Sequence, residues 1–217
     1  MPLIVLEGPE GAGKTTQLRR LADWLGSRDI EVIAVREPGG TPVGDEIRRI
    51  LLDHPDSDIV PRAEALLFMA SRAQLVQREL LPALATGHIV LLDRFFLSTY
   101  AYQVAGRGLP EDEVIVANKL ATATLKPDLT LLLSLPARDG LARANKRGEY
   151  DRIEQAAADF HERVARTFET FATPEWQRAH PEAGPVTTVD ARGSVEEVFG
   201  RIHGVLARRW PETFADR

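Results

Sequence analysis

Short apolar runs punctuate the chain, and an amphipathic stretch follows each of them. The runs are Leu3–Leu6, Ile30–Val35, Ile89–Leu92, Leu129–Leu135 and Val186–Val189. Their lengths and their Val, Ile and Leu content predict strands buried on both faces. Between them, helix-period patterns cover residues 15–26, 43–53, 63–86, 97–105, 111–125, 136–147, 153–172 and 194–209. Strand alternating with helix predicts an α/β chain, a five-stranded parallel sheet wrapped by helices. In such a sheet ligands collect beyond the carboxyl ends of the strands. The stretch 173–185, with Pro174, Pro181 and Pro185, reads as a surface connection, and the residues after Trp210 read as a fraying tail.

Composition narrows this picture only a little. A chain of 217 residues suits one domain, 1–217, with short mobile insertions. Its formal net charge of -5 argues against a general polyanion surface, so no nucleic-acid partner is expected and any anion site must be local. The absence of cysteine removes disulfides, thiolate metal sites and cysteine nucleophiles. Leu3–Leu6 is too short for a signal segment and no later run approaches a span, so no membrane partner and a cytoplasmic location are expected.

The chemistry begins directly after the first run. GPEGAGKT, Gly8 to Thr15, fits the phosphate-loop pattern G-x-x-x-x-G-K-[ST] at every fixed position. Gly8, Gly11 and Gly13 let successive N–H groups converge on a phosphate, with Pro9, Glu10 and Ala12 between them. Lys14 can reach the β- and γ-phosphates, Thr15 can offer its hydroxyl to Mg²⁺, and Thr16 continues into the helix. After the third run comes DRFF. Asp93 is placed as a Walker-B acid for Mg²⁺ and Arg94 as a bidentate phosphate clamp, although an Asp–Arg pair also ends many ordinary strands.

Two further stretches suggest a second substrate. In REPGGTPVGDEIRRIL, Pro38-Gly39-Gly40 turns the chain sharply and Arg48 lies on the helix that follows. In EALLFMASRAQLVQREL, Phe68 and Arg72 are four apart and share a helical face, where an aromatic and an arginine can hold a flat base. By pattern alone, Phe68 reads as ordinary core.

Together, EGPEGAGKTTQ, REPGGTPVGDEIR, LLFMASRAQ, DRFFLSTYAYQ and RGEYDRIE resemble the thymidylate kinases over nearly the whole chain. These are P-loop enzymes that move the γ-phosphate of ATP onto dTMP. The resemblance implies that Phe68 stacks on thymine, Arg72 bonds the base edge, and Arg48 and Arg94 grip the dTMP phosphate beside Asp93. It further implies that Gln103 helps read the base, that Tyr102 packs near the sugar, that Pro38 lines the acceptor site and that Glu10 approaches the sugar 3′-hydroxyl. Mg²⁺ and a homodimer are implied as well. Val104 and Phe95 stand where the family pattern has Gly and Tyr.

The family needs one more arginine, and the phosphate loop here contains none. RANKRGEYDRIE, Arg143 to Glu154, is a mixed charge run of the kind that ordinarily covers a solvated helix end. Its place after the fourth strand is where such a kinase carries a lid, here about 142–154. The chain resembles the bacterial type with the catalytic arginine in that lid, which implies Arg147 as the transition-state cation, beside Lys14 and Arg94, and Arg143 over the adenine. Asn145 and Lys146 depart from the Arg-x-Arg-x-Arg of lid-type relatives. A kinase for another nucleotide and a non-catalytic nucleotide-binding regulator remain the alternatives.

Overall fold

The computed structural model describes residues 1–54, 58–145, 152, 153, 155 and 158–215. Five strands form one sheet: β1 (Leu3–Glu7), β2 (Val32–Arg36), β3 (Ile89–Asp93), β4 (Leu129–Ser134) and β5 (Val186–Asp190). Their order is β2-β3-β1-β4-β5, with every neighbouring pair parallel. The fold therefore agrees with the sequence reading. All five carboxyl ends reach the same edge, and β1 stands in the middle.

Alternation along each strand feeds two separate cores. Leu3 and Val5 join Val90 and Leu92 on one face, whereas Ile4 and Leu6 join Ile89 and Leu91 on the other. Both sets are buried, so these runs carry no polar face, as a sheet covered on both sides requires. Helix α1 (Lys14–Gly26) covers the second face through Leu18, Leu21 and Leu25, together with Val198, Ile202 and Leu206 of a C-terminal helix (Val195–Arg209).

The first face is covered by α2 (Pro42–Leu52) and α3 (Pro61–Leu75), which continues through a π-helical turn, Val76–Leu80, into α4 (Leu81–Ala85). Thr41 caps α2 by accepting from the Gly44 amide, and Pro42 opens its first turn. After β3 come α5 (Phe96–Thr99), a π-helical turn Tyr100–Gly106 and α6 (Glu111–Thr122). Then follow α7 (Ala137–Asn145), α8 (Ala158–Thr170) and α9 (Pro174–Ala179), with α10 (Val195–Arg209) and α11 (Pro211–Phe214) at the end.

Two local expectations fail and a third is refined. The helix expected from residue 153 starts at Ala158, because residues 152, 153 and 155 are in turns. The expected surface connection holds α9 and a short 3₁₀ helix, Pro181–Ala183. The stretch stays largely at the surface, with Trp176 and His180 stacked at 4.1 Å and packed edge-on against Tyr100. The tail does not fray over 211–214, where Phe214 is fully buried and stacks on Trp24 at 5.9 Å. Phe214→Ala is therefore expected to lower the unfolding free energy by about 3–5 kcal/mol, as loss of a core phenylalanine does. Urea melts would show this, and a change under about 1 kcal/mol would return the tail to a peripheral role.

Candidate active site

The phosphate loop leaves β1 and enters α1. Gly8, Gly11 and Gly13 all have positive φ, at 143°, 72° and 89°. At two of them the neighbours also forbid a side chain. A Cβ on Gly8 would lie 2.5 Å from the Leu133 carbonyl oxygen, and one on Gly11 would overlap the carbonyl of Gly140 in α7. No side chain caps the start of α1, so its first amides and the positive end of its dipole remain for an anion. Lys14 spans the loop, donating to the carbonyls of Gly8 and Pro9 at 2.9 Å each.

Across from the loop, the end of β3 supplies a linked set of polar groups. Thr15 Oγ1 donates to Asp93 Oδ2 at 2.5 Å. Arg94 adopts a left-handed φ of 72°. Its guanidinium donates to Glu10 Oε1 at 2.7 Å and to Ser98 Oγ at 2.9 Å. The Tyr102 hydroxyl donates to the same Glu10 oxygen at 2.7 Å. Glu10 thus faces a cation and a phenol, which accounts for an acid inside an anion-binding loop.

Burial and charge set the protonation states here. Burial, helped by the nearby Arg94 cation, lowers Lys14 from its ordinary 10.5 to about 8. Burial opposes the charge on Arg94 too, but Glu10, with Tyr102, Asp93 and Glu7, outweighs it and holds Arg94 well above its ordinary value. Burial pushes the Tyr102 hydroxyl far up; Arg94 opposes that shift, while Glu10 adds to it. The phenol therefore stays a donor.

One cleft of about 590 Å³ joins these groups to the second set of sequence candidates. Glu10 to Thr16, Asp93, Arg94 and Arg143 line it together with Pro38, Arg48, Phe68, Arg72, Tyr102 and Gln103. Gly8 and Pro9 lie behind the wall, and Pro9 borders a separate cavity. Among the described residues, six cationic and three acidic ones line the cleft, so this lining is positive in a chain of net charge -5. Arg147 and Lys146 lie outside the described residues, as does most of the segment 142–154 beyond Asn145.

At the far end, Arg48 donates to the Pro38 carbonyl at 3.0 Å, after a cis Glu37–Pro38 bond. Arg72 is only 2% exposed, and protein acceptors take all five of its N–H groups. Nε and Nη2 meet Glu37 Oε2 at 2.8 and 2.6 Å. Nη1 meets Thr99 Oγ1 and Asn118 Oδ1, and Nη2 also meets the Phe95 carbonyl. The arginine expected to bond a base edge thus has no uncommitted donor. At the loop end, Arg143 donates to the Ala191 carbonyl at 3.2 Å, beside Gly193 to Val195 at the start of α10.

Several cleft and supporting residues escaped sequence reading. Glu7, fully buried, accepts from the amides of Phe95 and Ser98 and from Ser98 Oγ. An acid closing an all-apolar strand was its one visible signal. Ser98 sits four residues after Arg94, a helical spacing that could have been noticed. Glu37, Thr99, Asn118 and Glu64 act through partners 27 to 88 residues away in sequence, which no local pattern reveals. The capping box of α10, Ser194 with Glu197, was legible as S-x-x-E.

A parallel sheet with a phosphate loop after its central strand, opening into a bipartite cleft, defines a P-loop nucleotide kinase fold. A profile described as thymidylate kinase matches residues 6–202. A thymidylate kinase of Carboxydothermus hydrogenoformans is 44% identical over 94% of this chain and 95% of its own. One of Ectopseudomonas mendocina is 47% identical, over 94% and 93%. The crystal structure of thymidylate kinase from Ehrlichia chaffeensis matches with a TM-score of 0.70 at 26% identity, covering 94% of this chain and 97% of that one. The chain belongs to the thymidylate kinase family.

The lowered Lys14 gives a signed prediction. Phosphates stabilise the ammonium form and so raise its pKa from about 8. At pH 8, ATP binding should take up about half a proton per chain, and affinity should weaken as pH rises further. Titration calorimetry in two buffers of different ionisation enthalpy measures this directly. Identical heats in both buffers would mean that Lys14 is fully charged before ATP arrives.

Proposed function

We propose that this protein transfers the γ-phosphoryl group of ATP to the phosphate of dTMP, giving dTDP and ADP on the route to dTTP for DNA. The observation that carries this reading is the bipartite cleft. One end holds a phosphate loop, and the other holds Phe68, Arg72 and Gln103 behind Arg48. ATP enters at the loop, with its β- and γ-phosphates on the amides of Gly11 to Thr16 and on Lys14, and with its adenine beside Arg143. dTMP enters from the opposite side, its base on Phe68 and Gln103 and its phosphate between Arg48 and Arg94.

The donor set fits Mg²⁺. Among the described residues there is no cluster of three acidic, His or Cys ligands, but the Thr15 hydroxyl and the Asp93 carboxylate touch each other at the loop. Mg²⁺ characteristically takes one or two such oxygens, with phosphate oxygens and water completing its shell. Thr15 and Asp93 would hold it, and it would neutralise charge on the phosphates when bound.

The acceptor phosphate is already an anion, so the chain needs no strong general base. Its residues align donor and acceptor and balance the charge that spreads over the transferred group. Glu10 holds Arg94 in place and, with Tyr102, meets the deoxyribose. Arg72 reaches the base edge by exchanging one Nη1 acceptor, Thr99 or Asn118, for a base carbonyl. Arg147, from a lid of about residues 142–154, supplies the remaining cation.

The protein also acts as a homodimer in this reading. Val43 and Ile50 of α2, Leu66 of α3, and Val116 and Leu120 of α6 are exposed on three helices, with α3 packed against both others. A second copy covers them. Leu120→Glu is expected to yield monomers in analytical ultracentrifugation, and an undisturbed dimer would refute this face.

A coupled ADP-release assay over a panel of nucleoside monophosphates and nucleosides tests the chemistry. dTMP should be turned over best, with dUMP slower, since one methyl is worth about 1–3 kcal/mol in a pocket. No turnover with dTMP would overturn the reading. Arg147→Ala is expected to lose much of the roughly 10³–10⁵-fold that a finger arginine contributes to kcat, with dTMP affinity little changed. Near-normal kcat in that variant would remove Arg147 from the mechanism.

A further inference from the structure

Gln103 sits in the π-helical turn Tyr100–Gly106 and lines the cleft, only 2% exposed. Its amide has one accepting and one donating end, and exchanging them reverses what the cleft offers a ligand. The group that decides between them is Glu64 of α3, 1% exposed and outside the cleft lining. Four N–H donors surround its carboxylate. Arg107 Nε and Gln103 Nε2 meet Oε1 at 3.0 and 3.4 Å, and Arg107 Nη2 and Arg152 Nη2 meet Oε2 at 3.0 and 2.5 Å.

Burial opposes the negative charge on Glu64, yet the hydrogen bonds from Arg107 and Arg152 prevail and hold its pKa below the ordinary value. An ionised carboxylate only accepts. Gln103 must therefore turn its NH₂ toward Glu64, which leaves its carbonyl Oε1 on the other side. No described residue donates to that oxygen. It is not among the buried atoms left without a partner, so it opens into the cleft.

We propose that Glu64 is a positioning residue for base selection: it fixes the Gln103 amide so that the cleft presents an acceptor to the ring of the incoming nucleotide. Thymine and uracil carry N3–H and satisfy that acceptor. Cytosine carries a lone pair at N3 and faces it lone pair to lone pair. Arg72 has only donors, which cannot satisfy a ring N3–H, so the discrimination at N3 falls on Gln103. The proposal rests on the reading that Gln103 meets the base.

Glu64→Gln tests it. The oxygen of the new amide takes the position that faces two arginine donors, Arg107 Nη2 and Arg152 Nη2, and its NH₂ faces Gln103 in place of the bond from Arg107 Nε. Gln103 can then turn its carbonyl inward and offer its NH₂ to cytosine N3. In Mg·ATP assays the dTMP:dCMP ratio of kcat/KM should fall at least about tenfold. The dTMP:dUMP ratio should stay unchanged, because both bases carry N3–H. General loosening of the site would move both ratios and would overturn the proposal.

Gln103→Ala separates the failures. If Gln103→Ala collapses the dTMP:dCMP ratio while Glu64→Gln leaves it intact, Gln103 reads the base without direction from Glu64, and the proposal fails alone. If neither variant moves the ratio, the base-reading role of Gln103 fails with it. Should Glu64→Gln not fold, the double variant Glu64→Gln, Arg152→Gln removes the unbalanced cation and carries the same expectation. Arg152→Gln alone keeps the carboxylate and should keep the ratio; a loss there would assign the effect to Arg152 instead.

Discussion

The carboxylate of Glu7 ties the phosphate loop to the polar groups at the end of β3. It ends β1, the strand that launches the phosphate loop, and it accepts from the amides of Phe95 and Ser98 beyond β3, the strand that ends in Asp93. The strands are already in register, with Leu6 opposite Asp93, and the Arg94 amide donates to the Leu6 carbonyl at 3.0 Å. Glu7 extends that register one step beyond the sheet, where backbone pairing stops. Ser98 then relays it. The Ser98 hydroxyl donates to Glu7 and accepts from Arg94, so the guanidinium is referenced to the strand beneath the phosphate loop. The left-handed φ of Arg94 is sterically costly for a side-chain-bearing residue, and this web of bonds on both sides holds it.

The cleft also shows how a chain of net negative charge can bind two polyanions. Its cations are few and concentrated at the carboxyl edge of the sheet, where the loop amides and the start of α1 add partial positive charge. Burying them so close together would destabilise them. Lys14 shows this cost in its lowered pKa, and Arg94 avoids it through Glu10. The acid in the loop therefore keeps one cation charged without neutralising the cleft as a whole.

Sequence reading captured what repeats or lies close along the chain. The strands were legible because burial on both faces leaves continuous apolar runs, and the loop because its glycines and Lys14 have fixed spacing. Phe68, Arg72 and Gln103 could be brought to one place only by family resemblance, since helix periodicity does not say which cavity a face borders. The helical turns within 173–185 were not legible because three prolines outweighed Trp176 and His180, whose edge-on packing against Tyr100 depends on a partner some eighty residues away. Phe214 was missed for the same reason: Trp24, its stacking partner, is at the other end of the chain.

Three buried acids, Glu7, Glu37 and Glu64, share one physical role. Each stands at or behind the cleft wall and takes hydrogen bonds from a residue that faces the cleft: Ser98, Arg72 and Gln103 respectively. A hydroxyl or amide in that place could donate as well as accept, so it would leave its neighbour free to turn over. The ionised carboxylate of Glu64 removes that freedom from Gln103 because it has no proton to give, whereas Arg72, with donors only, has no such freedom to lose. Its desolvation is costly, which is why two of the three lie against arginine and Glu7 collects two backbone amides and a hydroxyl. Glu37 keeps one oxygen, Oε1, without a partner, and burial raises its pKa against the pull of Arg72. Of the three it is the least fully compensated, although it is also the one whose residue lines the cleft.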